Sequence, residues 1–383
     1  MAMTPGARAA AAIAVLDRVL GGEPAEKALT NWGRASRFAG SGDRAAVRDL
    51  VFEALRRRSS AAALGGGLTG RGLILGLARA AGQEALFSGD GHAPPAPGPD
   101  ERGRDPDVGE SLDLPDWLVP DLRDSLGEDF AAVADALRSR APVFLRVNLG
   151  KGDRPAAIAL LASEGIVAQP HPLATTALEV TDNARKVQAS QAYLSGLVEL
   201  QDASSQAVVE ALPLGDGMTV LDHCAGGGGK TLAMAARARL RLFAHDAHPR
   251  RMADLPERAR RAGTTVTLTD RPETGAPYDL VLVDAPCSGS GSWRRDPEGK
   301  WKITPEALAE LEQTQISILD RVVPMVRRGG VIAYVTCSLL ARENAAQARA
   351  FLARHPGWRL DRELTLTPLA GGDGFYLALF RGN

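Results

Sequence analysis

The chain has 383 residues, 45% of them hydrophobic and 24% charged, a composition typical of a globular protein with a sizeable core. No apolar run is long enough to span a membrane and no signal peptide opens the chain, so we expect a cytoplasmic protein that binds no membrane. The three cysteines, Cys224, Cys287 and Cys337, form no CxxC pair, which disfavours a disulfide framework or a zinc site. We expect a protein that holds no metal, and we expect it to be a monomer.

Charge is unevenly distributed along the chain, although the net charge is only -1. Residues 88–135 carry 13 acidic against 3 basic residues, and residues 1–87 carry 12 basic against 7 acidic ones. Of the 45 basic residues 39 are arginines, whose planar fork suits phosphate oxygens, although an Arg-rich genome explains this bias equally well.

The N-terminal third predicts helices. Residues 5–87 are Ala-rich, and between Asp43 and Arg58 apolar residues recur at helical spacing on one face, namely Val47, Leu50, Val51, Ala54 and Leu55. The arginines beside this face fit either a solvated surface or an RNA backbone contact. Residues 88–110, rich in Pro, Gly and acids, predict a flexible loop, and 115–140 return to helical spacing.

Beyond Pro142 the pattern becomes mixed α/β. Residues 144–148 and 178–180 predict strands around a helix at 155–163, which together form a small α+β unit. After residue 215 strands alternate regularly with helices. The predicted strands are 218–222, 241–246, 265–270, 278–284, 331–336, 358–362 and 375–380, and the predicted helices are 230–238, 249–262, 305–327 and 342–354. Repeated βα units predict a Rossmann-like, mostly parallel sheet that binds its ligand at the carboxyl ends of the strands.

A glycine-rich loop follows the first of these strands and opens a helix. It reads Asp222-His-Cys224-Ala225-Gly226-Gly227-Gly228-Gly229-Lys230. A P-loop would require a glycine at Cys224, and a dinucleotide fingerprint would require one at Thr231 or Leu232, so both motifs fail. A loop for S-adenosylmethionine predicts an acid at the end of the second strand, where Asp246 lies, and Asp270 ends the third. This set favours a cofactor that carries a nucleoside.

Two cysteines follow two strands that should be neighbours. Cys287 stands in Asp284-Ala-Pro-Cys287, and Cys337 follows the strand 331–336. Adjacent strands lie about 4.8 Å apart, so both thiols should face one cleft at the same edge of the sheet. A lone cysteine is usually a small core residue, but two at adjacent strand ends indicate chemistry.

These stretches closely resemble the Nop/Sun family of RNA cytosine-5 methyltransferases, in the bacterial Fmu/Sun ribosomal-RNA branch. The resemblance covers residues 140–383, and it is carried by the loop at 222–231 and by four further motifs: Gln201-Asp-Ala-Ser204, Asp284-Ala-Pro-Cys287-Ser-Gly-Ser-Gly with Arg294-Arg295-Asp-Pro and Lys300-Trp301, Thr336-Cys337-Ser338 with Glu343-Asn344, and Gly372-Asp-Gly-Phe375. The family loop usually has Ala and Pro where this chain has Gly226 and Gly227. A weaker resemblance at 41–56 is to a NusB-like helical domain.

The resemblance implies a function and a set of site residues. It implies an S-adenosylmethionine-dependent enzyme that forms 5-methylcytosine, with 16S ribosomal RNA as the expected substrate. Cys337 would be the nucleophile, Cys287 would assist product release, and Asp284 would hold the base. The implied cofactor contacts are Asp222, Cys224, Ala225, Gly226, Gly227, Gly228, Gly229, Lys230, Asp246, Arg251, Asp270 and Asp284.

The implied domains are a NusB-like helical RNA-binding domain at 1–135 that includes the loop 88–110, a small α+β subdomain at 136–200, and a Rossmann-like methyltransferase domain at 201–383. Methylation of a base requires that it be unstacked, so we expect Arg294, Arg295, Lys300 and Trp301 to bind RNA, although a solvated loop is the alternative.

Other assignments stay open at this stage. The two cysteines could exchange roles, because DNA cytosine-5 methyltransferases use the cysteine of a Pro-Cys pair as nucleophile. A non-catalytic RNA-binding scaffold of the same fold, a P-loop nucleotidase and a cysteine hydrolase are weaker alternatives. The scaffold would have no reason to retain both thiols. A cysteine hydrolase is disfavoured because His223, His245 and His248 cluster on the cofactor side and not beside a thiol at a helix start.

Overall fold

The structure is a computed structural model that describes residues 2–383, and it contains two compact units. The helical unit comprises residues up to Arg123 together with 127–140 and 293–302. The sheet unit comprises 124–126, 141–292 and 303–383.

The α-helices begin where local sequence favours them; α1, for example, has Pro5 in its first turn and the Thr4 side chain accepting from the Ala7 amide. In chain order they are α1 (Pro5–Leu20), α2 (Ala25–Ala35), α3 (Ser41–Arg56), α4 (Arg58–Gly65), α5 (Gly70–Ala80), α6 (Val119–Leu126), α7 (Phe130–Leu137), α8 (Arg154–Ser163), α9 (Gln191–Leu194), α10 (Ala203–Glu210), α11 (Gly229–Ala235), α12 (Leu255–Ala262), α13 (Pro297–Lys302), α14 (Pro305–Val322) and α15 (Ala345–Arg354).

The helical unit has a core formed mainly by α1, α3 and α5. The predicted apolar face of α3 is confirmed, since Val47 and Val51 are fully buried and Leu50 packs at the edge of the core. Helices α4 and α5 approach so closely that a Cβ at Gly76 would lie 1.9 Å from the Ala61 carbonyl oxygen. No single helix among residues 2–383 could span a membrane, although α4 and α5, bent by 88°, pass the length and composition criteria together.

Residues 88–109 form neither helix nor strand. The segment nevertheless forms ion pairs, between Glu101 and Arg71 of α5 and between Arg104 and Glu110 at its own end. The Arg71 side chain lowers the pKa of Glu101 to about 2. The flexibility expected for 88–110, and the domain boundaries, stay predictions.

The strands form two sheets. In chain order they are β1 (Val143–Val147), β2 (Val167–Pro170), β3 (Ala177–Asp182), β4 (Val198–Leu200), β5 (Thr219–Asp222), β6 (Arg241–Ala244), β7 (Thr267–Leu268), β8 (Tyr278–Asp284), β9 (Val326–Thr336), β10 (Trp358–Leu366) and β11 (Phe375–Gly382). The smaller sheet is antiparallel, with the order β2-β3-β1-β4, and its elements follow one another as β-α-β-β-α-β.

The larger sheet confirms the predicted Rossmann-like fold. Its order is β10-β11-β9-β8-β5-β6-β7. Pairing from β7 through β9 is parallel, and β11 runs antiparallel to both neighbours. The chain leaves β5 toward β6 on one side and reaches β8 on the other, so the topological switch point lies between β5 and β8.

Several element bounds differ from the sequence-based expectation. The third strand, predicted at 265–270, is only the two residues of β7, because it pairs with β6 alone. Strand β9 starts five residues earlier than predicted, and a register shift against β8 accommodates Gly329-Gly330. The helix predicted at 249–262 is interrupted, with a 3-10 turn at Pro249–Met252 before α12.

Candidate active site

The predicted adjacency of the two cysteine-bearing strands is confirmed. Strands β8 and β9 are parallel neighbours, with Asp284 opposite Val335. The ladder continues one residue past β8, where the Ala285 amide donates to the Val335 carbonyl at 2.9 Å. The loops beyond are joined as well, since the Gly291 amide donates to the Cys337 carbonyl at 2.9 Å. Both loops therefore leave the same edge of the sheet in a fixed relation.

The thiols of Cys287 and Cys337 lie side by side, with their sulfur atoms 3.4 Å apart. The hydrogen bond from Cys287 lowers the pKa of Cys337, and the Lys230 ammonium adds to this effect against the opposing effect of burial. The pKa of Cys287 is raised well above its ordinary value by the same hydrogen bond and by burial. The two sulfurs are therefore unlike: the pKa of the Cys337 thiol is lowered, and the pKa of the Cys287 thiol is raised.

Lys230 brings a buried positive charge to this edge. Its ammonium lies 2.7 Å from Asp284 Oδ2 and 4.9 Å from the centroid of the Phe375 ring. Burial alone would lower the pKa of Lys230, but the Asp284 carboxylate more than compensates, and the pKa is raised. The site therefore holds an ion pair beside two thiols.

The glycine loop is held by acids at the ends of β5 and β6. Asp222 Oδ2 accepts from the Thr231 hydroxyl at 2.6 Å, while the buried Oδ1 atom has no hydrogen-bond partner. Asp246 Oδ2 accepts from the Gly226 amide at 2.9 Å. Gly228 has φ +78°, and a Cβ there would lie 2.1 Å from Leu255 Cδ1, so this position requires glycine.

The remaining predicted cofactor residues differ in placement. Arg251 lies 3.6 Å from Asp246 Oδ2, so it belongs to the same edge. Asp270 is exposed two residues beyond β7, and its role stays a prediction. Cys224 is half-buried, and burial raises its pKa, which makes this thiol a poor nucleophile.

A cavity of about 310 Å³ opens beside the start of the glycine loop. It is lined by Cys224 with His223 and His245, which the sequence placed on the cofactor side, and by residues that no sequence motif indicated, namely Ala247, Gln313, Thr314, Ser317, Ile318 and Arg321. The His223 and His245 rings lie 4.8 Å apart, and burial lowers the pKa of His223 to about 4. Because α14 contributes half of this lining from far along the chain, no local pattern could identify it.

The predicted RNA-binding loop lies wholly in the helical unit. Residues 293–302 belong to the helical unit, where the Lys300 ammonium donates to the Arg56 carbonyl at 2.9 Å and Trp301 Nε1 donates to the Leu55 carbonyl at 2.6 Å. Arg294 is 5% and Lys300 0% exposed. Both side chains are thus buried in the protein, and RNA binding by Arg294, Arg295, Lys300 and Trp301 stays a prediction. Trp301 is half-buried, and Arg295 is exposed.

Among residues 2–383, no group of three or more His, Cys, Asp or Glu side chains is arranged to hold a metal ion.

Comparison with known proteins agrees with this arrangement. Residues 209–380 match the family model described as 16S rRNA methyltransferase RsmB/F, and residues 114–188 match the ferredoxin-like domain of RsmF/B-like methyltransferases. The ribosomal RNA small subunit methyltransferase B of Cronobacter sakazakii (strain ATCC BAA-894) is 36% identical over 280 residues, which are 69% of this chain and 65% of that protein. The chain thus spans somewhat less than two thirds of the length of the curated relatives it matches.

Solved structures share the fold at lower sequence identity. PH0851 matches with a TM-score of 0.77 and 20% identity, over 99% of both chains. NSun6 from Pyrococcus horikoshii, solved with SFG, matches with a TM-score of 0.62 and 17% identity, over 70% of this chain and 98% of its own. With its fold, its paired strand-end cysteines and its two matched domains, the chain belongs to the RsmB/F family of methyltransferases.

Proposed function

We propose that the protein is an S-adenosylmethionine-dependent RNA methyltransferase that forms 5-methylcytosine in 16S ribosomal RNA through a covalent cysteine–cytosine adduct. The observation that carries the proposal is the pair of unlike thiols, 3.4 Å apart, beside the Lys230–Asp284 ion pair. The names of the matched relatives, which are small-subunit ribosomal RNA methyltransferases, support the choice of substrate.

The residues at the switch point fit the cofactor. Asp222 has a buried oxygen without a partner. The loop passes close to Leu255 at Gly228, and Gly227 beside it is exposed. Asp246, at the end of β6, suits the hydroxyls of a ribose, and the cavity beside His223 suits a base. SFG, present in the NSun6 structure, is an analogue of S-adenosylmethionine. When bound, the cofactor supplies an electrophilic methyl group.

The site residues account for the activation that cytosine needs. Carbon 5 of cytosine is a poor nucleophile until a thiolate adds to carbon 6. Cys337, whose pKa is lowered, suits this addition. At the later stage a base takes the proton from carbon 5 and the bond between carbon 6 and sulfur breaks; Cys287, whose pKa is raised, suits donation of a hydrogen bond to the departing Cys337 sulfur. Asp284 and Lys230 suit the polar edge of the base. The opposite assignment of the thiols is the alternative, and electrostatics disfavour it.

The helical unit supplies a candidate RNA surface. Phe38 is 72% exposed between α2 and α3, and Arg37 beside it is also exposed. A groove of about 420 Å³ lies on these helices, lined in part by Trp32, Arg34 and Arg44. Cationic side chains around exposed aromatic rings suit phosphates and unstacked bases. This arrangement supports a NusB-like RNA-binding role for the unit.

The experiment has a binding arm and a product arm. Calorimetry should detect binding of S-adenosylmethionine and no binding of ATP. In the product arm, ribosomal RNA from a strain that lacks the protein is incubated with the protein and S-adenosylmethionine, once as naked RNA and once as 30S particles. Bisulfite sequencing should then show one cytosine that has become resistant to conversion. Binding of ATP instead, or methylation at an atom other than carbon 5, would overturn the proposal.

A further inference from the structure

A single buried carboxylate lies between the two loops that carry the cysteines. Glu343 is 0% exposed. Its Oε1 atom accepts from the Ser288 amide at 2.8 Å, and its Oε2 atom accepts from the hydroxyls of Ser288 and Ser338, both at 2.5 Å. Ser288 follows Cys287 directly, and Ser338 follows Cys337. The same carboxylate therefore holds the residue after each thiol.

From this geometry we propose that Glu343 is a positioning residue that fixes the spacing of Cys287 and Cys337 by bonding both loops at once. The inference rests on the proposed function, because it assigns Glu343 a part in the same reaction. Glu343 does not touch the thiols, so its effect passes through the two serines.

Gln315, on α14, completes the attachment of the Cys287 loop. Its Nε2 atom donates to Glu343 Oε1 at 3.1 Å and to the Pro286 carbonyl at 3.0 Å. Cys287 is thus flanked by two held residues, Pro286 before it and Ser288 after it. Movement of this thiol would break bonds on both sides.

The backbone of Glu343 is itself attached to the sheet. Its carbonyl accepts from the hydroxyl of Tyr334, a fully buried residue of β9, at 2.6 Å. Its amide donates to the Leu340 carbonyl at 3.1 Å. The carboxylate is therefore mounted on the strand that delivers Cys337, and it reaches across to the loop that follows β8.

The chemistry of the contacts requires a carboxylate. Four donated hydrogen bonds arrive at its two oxygens, and an ionised carboxylate can accept all of them. The four donors are neutral groups, and a buried charge persists only when hydrogen bonds of this kind compensate its desolvation. A glutamine has one acceptor oxygen, so it would present N–H groups to at least one donor and push that loop away.

The charge of Glu343 also distinguishes the two thiols. It adds to the hydrogen bond and the burial that raise the pKa of Cys287. The Lys230 ammonium acts on Cys337 in the opposite direction. Spacing and protonation of the pair thus depend on the same carboxylate.

The test compares Glu343→Gln with Glu310→Gln, which removes one negative charge from an exposed position of α14. Iodoacetamide alkylation followed by peptide mass spectrometry measures each thiol without RNA or cofactor, with Cys224 as internal reference. We expect the ratio of Cys337 to Cys287 alkylation rates to change at least fivefold in Glu343→Gln only. With RNA, the kcat of Glu343→Gln should fall about 100-fold, which is the effect expected when a catalytic group is displaced by about 1 Å. Its KM should stay within about threefold of the wild-type value.

A second variant isolates the serines. In Ser288→Ala/Ser338→Ala the carboxylate has lost both hydroxyl partners, so adding Glu343→Gln should cost much less than it does alone. This variant also carries the test if Glu343→Gln does not unfold cooperatively. Wild-type alkylation ratios and kcat in Glu343→Gln, or full additivity with the serine changes, would overturn the inference. If the wild-type protein transfers no methyl group, the proposed function fails, while the alkylation ratio still decides the role of Glu343.

Discussion

At the scale of single residues, the site is defined by which charges are buried beside the thiols. Lys230 is 9% exposed and remains protonated because Asp284 lies 2.7 Å away. The ammonium is the cation whose charge lowers the pKa of Cys337. A lysine in the first turn of a helix usually faces solvent, and only the fold shows that this one points to the strand ends.

Replacement of Lys230 by Met should therefore raise the pKa of the Cys337 thiol. The pH midpoint for alkylation of Cys337 should move upward by about one unit or more, because each unit corresponds to about 1.4 kcal/mol of lost interaction with the thiolate. Alkylation rates measured between pH 6 and pH 10 give this midpoint. Lys186→Met, at an exposed position, is the control, and an unchanged midpoint in Lys230→Met would contradict the electrostatic role of Lys230.

At the scale of elements, the sequence predicted the features of the fold that depend on the local pattern of residues. Alternating strands and helices, the switch point and the shared edge of the two cysteines follow from periodicity and from the regular geometry of parallel sheets. The length of β7 and the lining of the cavity beside His223 depend on partners distant in sequence. The sequence shows Glu343 only as part of a motif, because its bonds to Ser288 and Gln315 join three separate segments.

The segment 285–302 illustrates this limit of local pattern. Its basic and aromatic residues predicted one RNA-binding loop, and all of them lie in the part after Ser292 that belongs to the helical unit. Helix α13 contributes to the helical unit because Lys300 and Trp301 bond to backbone carbonyls of α3. Those acceptors lie more than 240 residues earlier in the chain, so composition alone could not distinguish an exposed loop from a packed one.

Lys300 should make the stability of the protein depend on pH. Burial lowers its pKa from 10.5 to about 7 in the folded state. The unfolded chain therefore binds more protons between pH 7 and pH 10.5, so the free energy of unfolding rises with pH across this interval. The contribution of the neutral amine is fully present above pH 10.5 and is lost progressively as the pH falls to 7. Relative to Lys300→Met, the wild-type protein should gain stability of the order of 3 kcal/mol between pH 7 and pH 9.5.

Urea unfolding of both proteins at pH 7 and pH 9.5 measures this difference. The lost bond to the Arg56 carbonyl adds an offset that does not depend on pH. Lys302→Met, at an exposed position, should show no such dependence on pH. A constant difference between the wild-type protein and Lys300→Met would mean that the amine is charged in the folded protein at both pH values.

At the scale of the whole molecule, the two units are not consecutive in sequence. The helical unit includes residues 293–302, which follow the Cys287 loop directly. Trp293 is 1% exposed and Lys300 0% exposed in the whole protein. Neither unit can therefore be cut out as one continuous segment of the chain.

A fragment of residues 141–383 should consequently aggregate. Without the rest of the helical unit, Trp301 loses its bond to the Leu55 carbonyl, and the rings of Trp293 and Trp301 become part of an apolar patch, the kind of surface that promotes association. Size-exclusion chromatography should show aggregation, which replacement of both tryptophans by Ser should reduce. A monodisperse fragment with the thermal stability and activity of the full chain would contradict this account of the helical unit.

The central claim is that the two thiols have different parts in one covalent cycle, and trapping the protein–RNA adduct tests it most directly. Each cysteine variant is incubated with substrate RNA and S-adenosylmethionine, and complexes that survive denaturing electrophoresis are counted. Cys337→Ala should form no adduct and transfer no methyl group, whereas Cys287→Ala should accumulate an adduct that it cannot release. An adduct formed by Cys337→Ala but not by Cys287→Ala would reverse the roles, and the absence of an adduct in both would contradict covalent catalysis at this site.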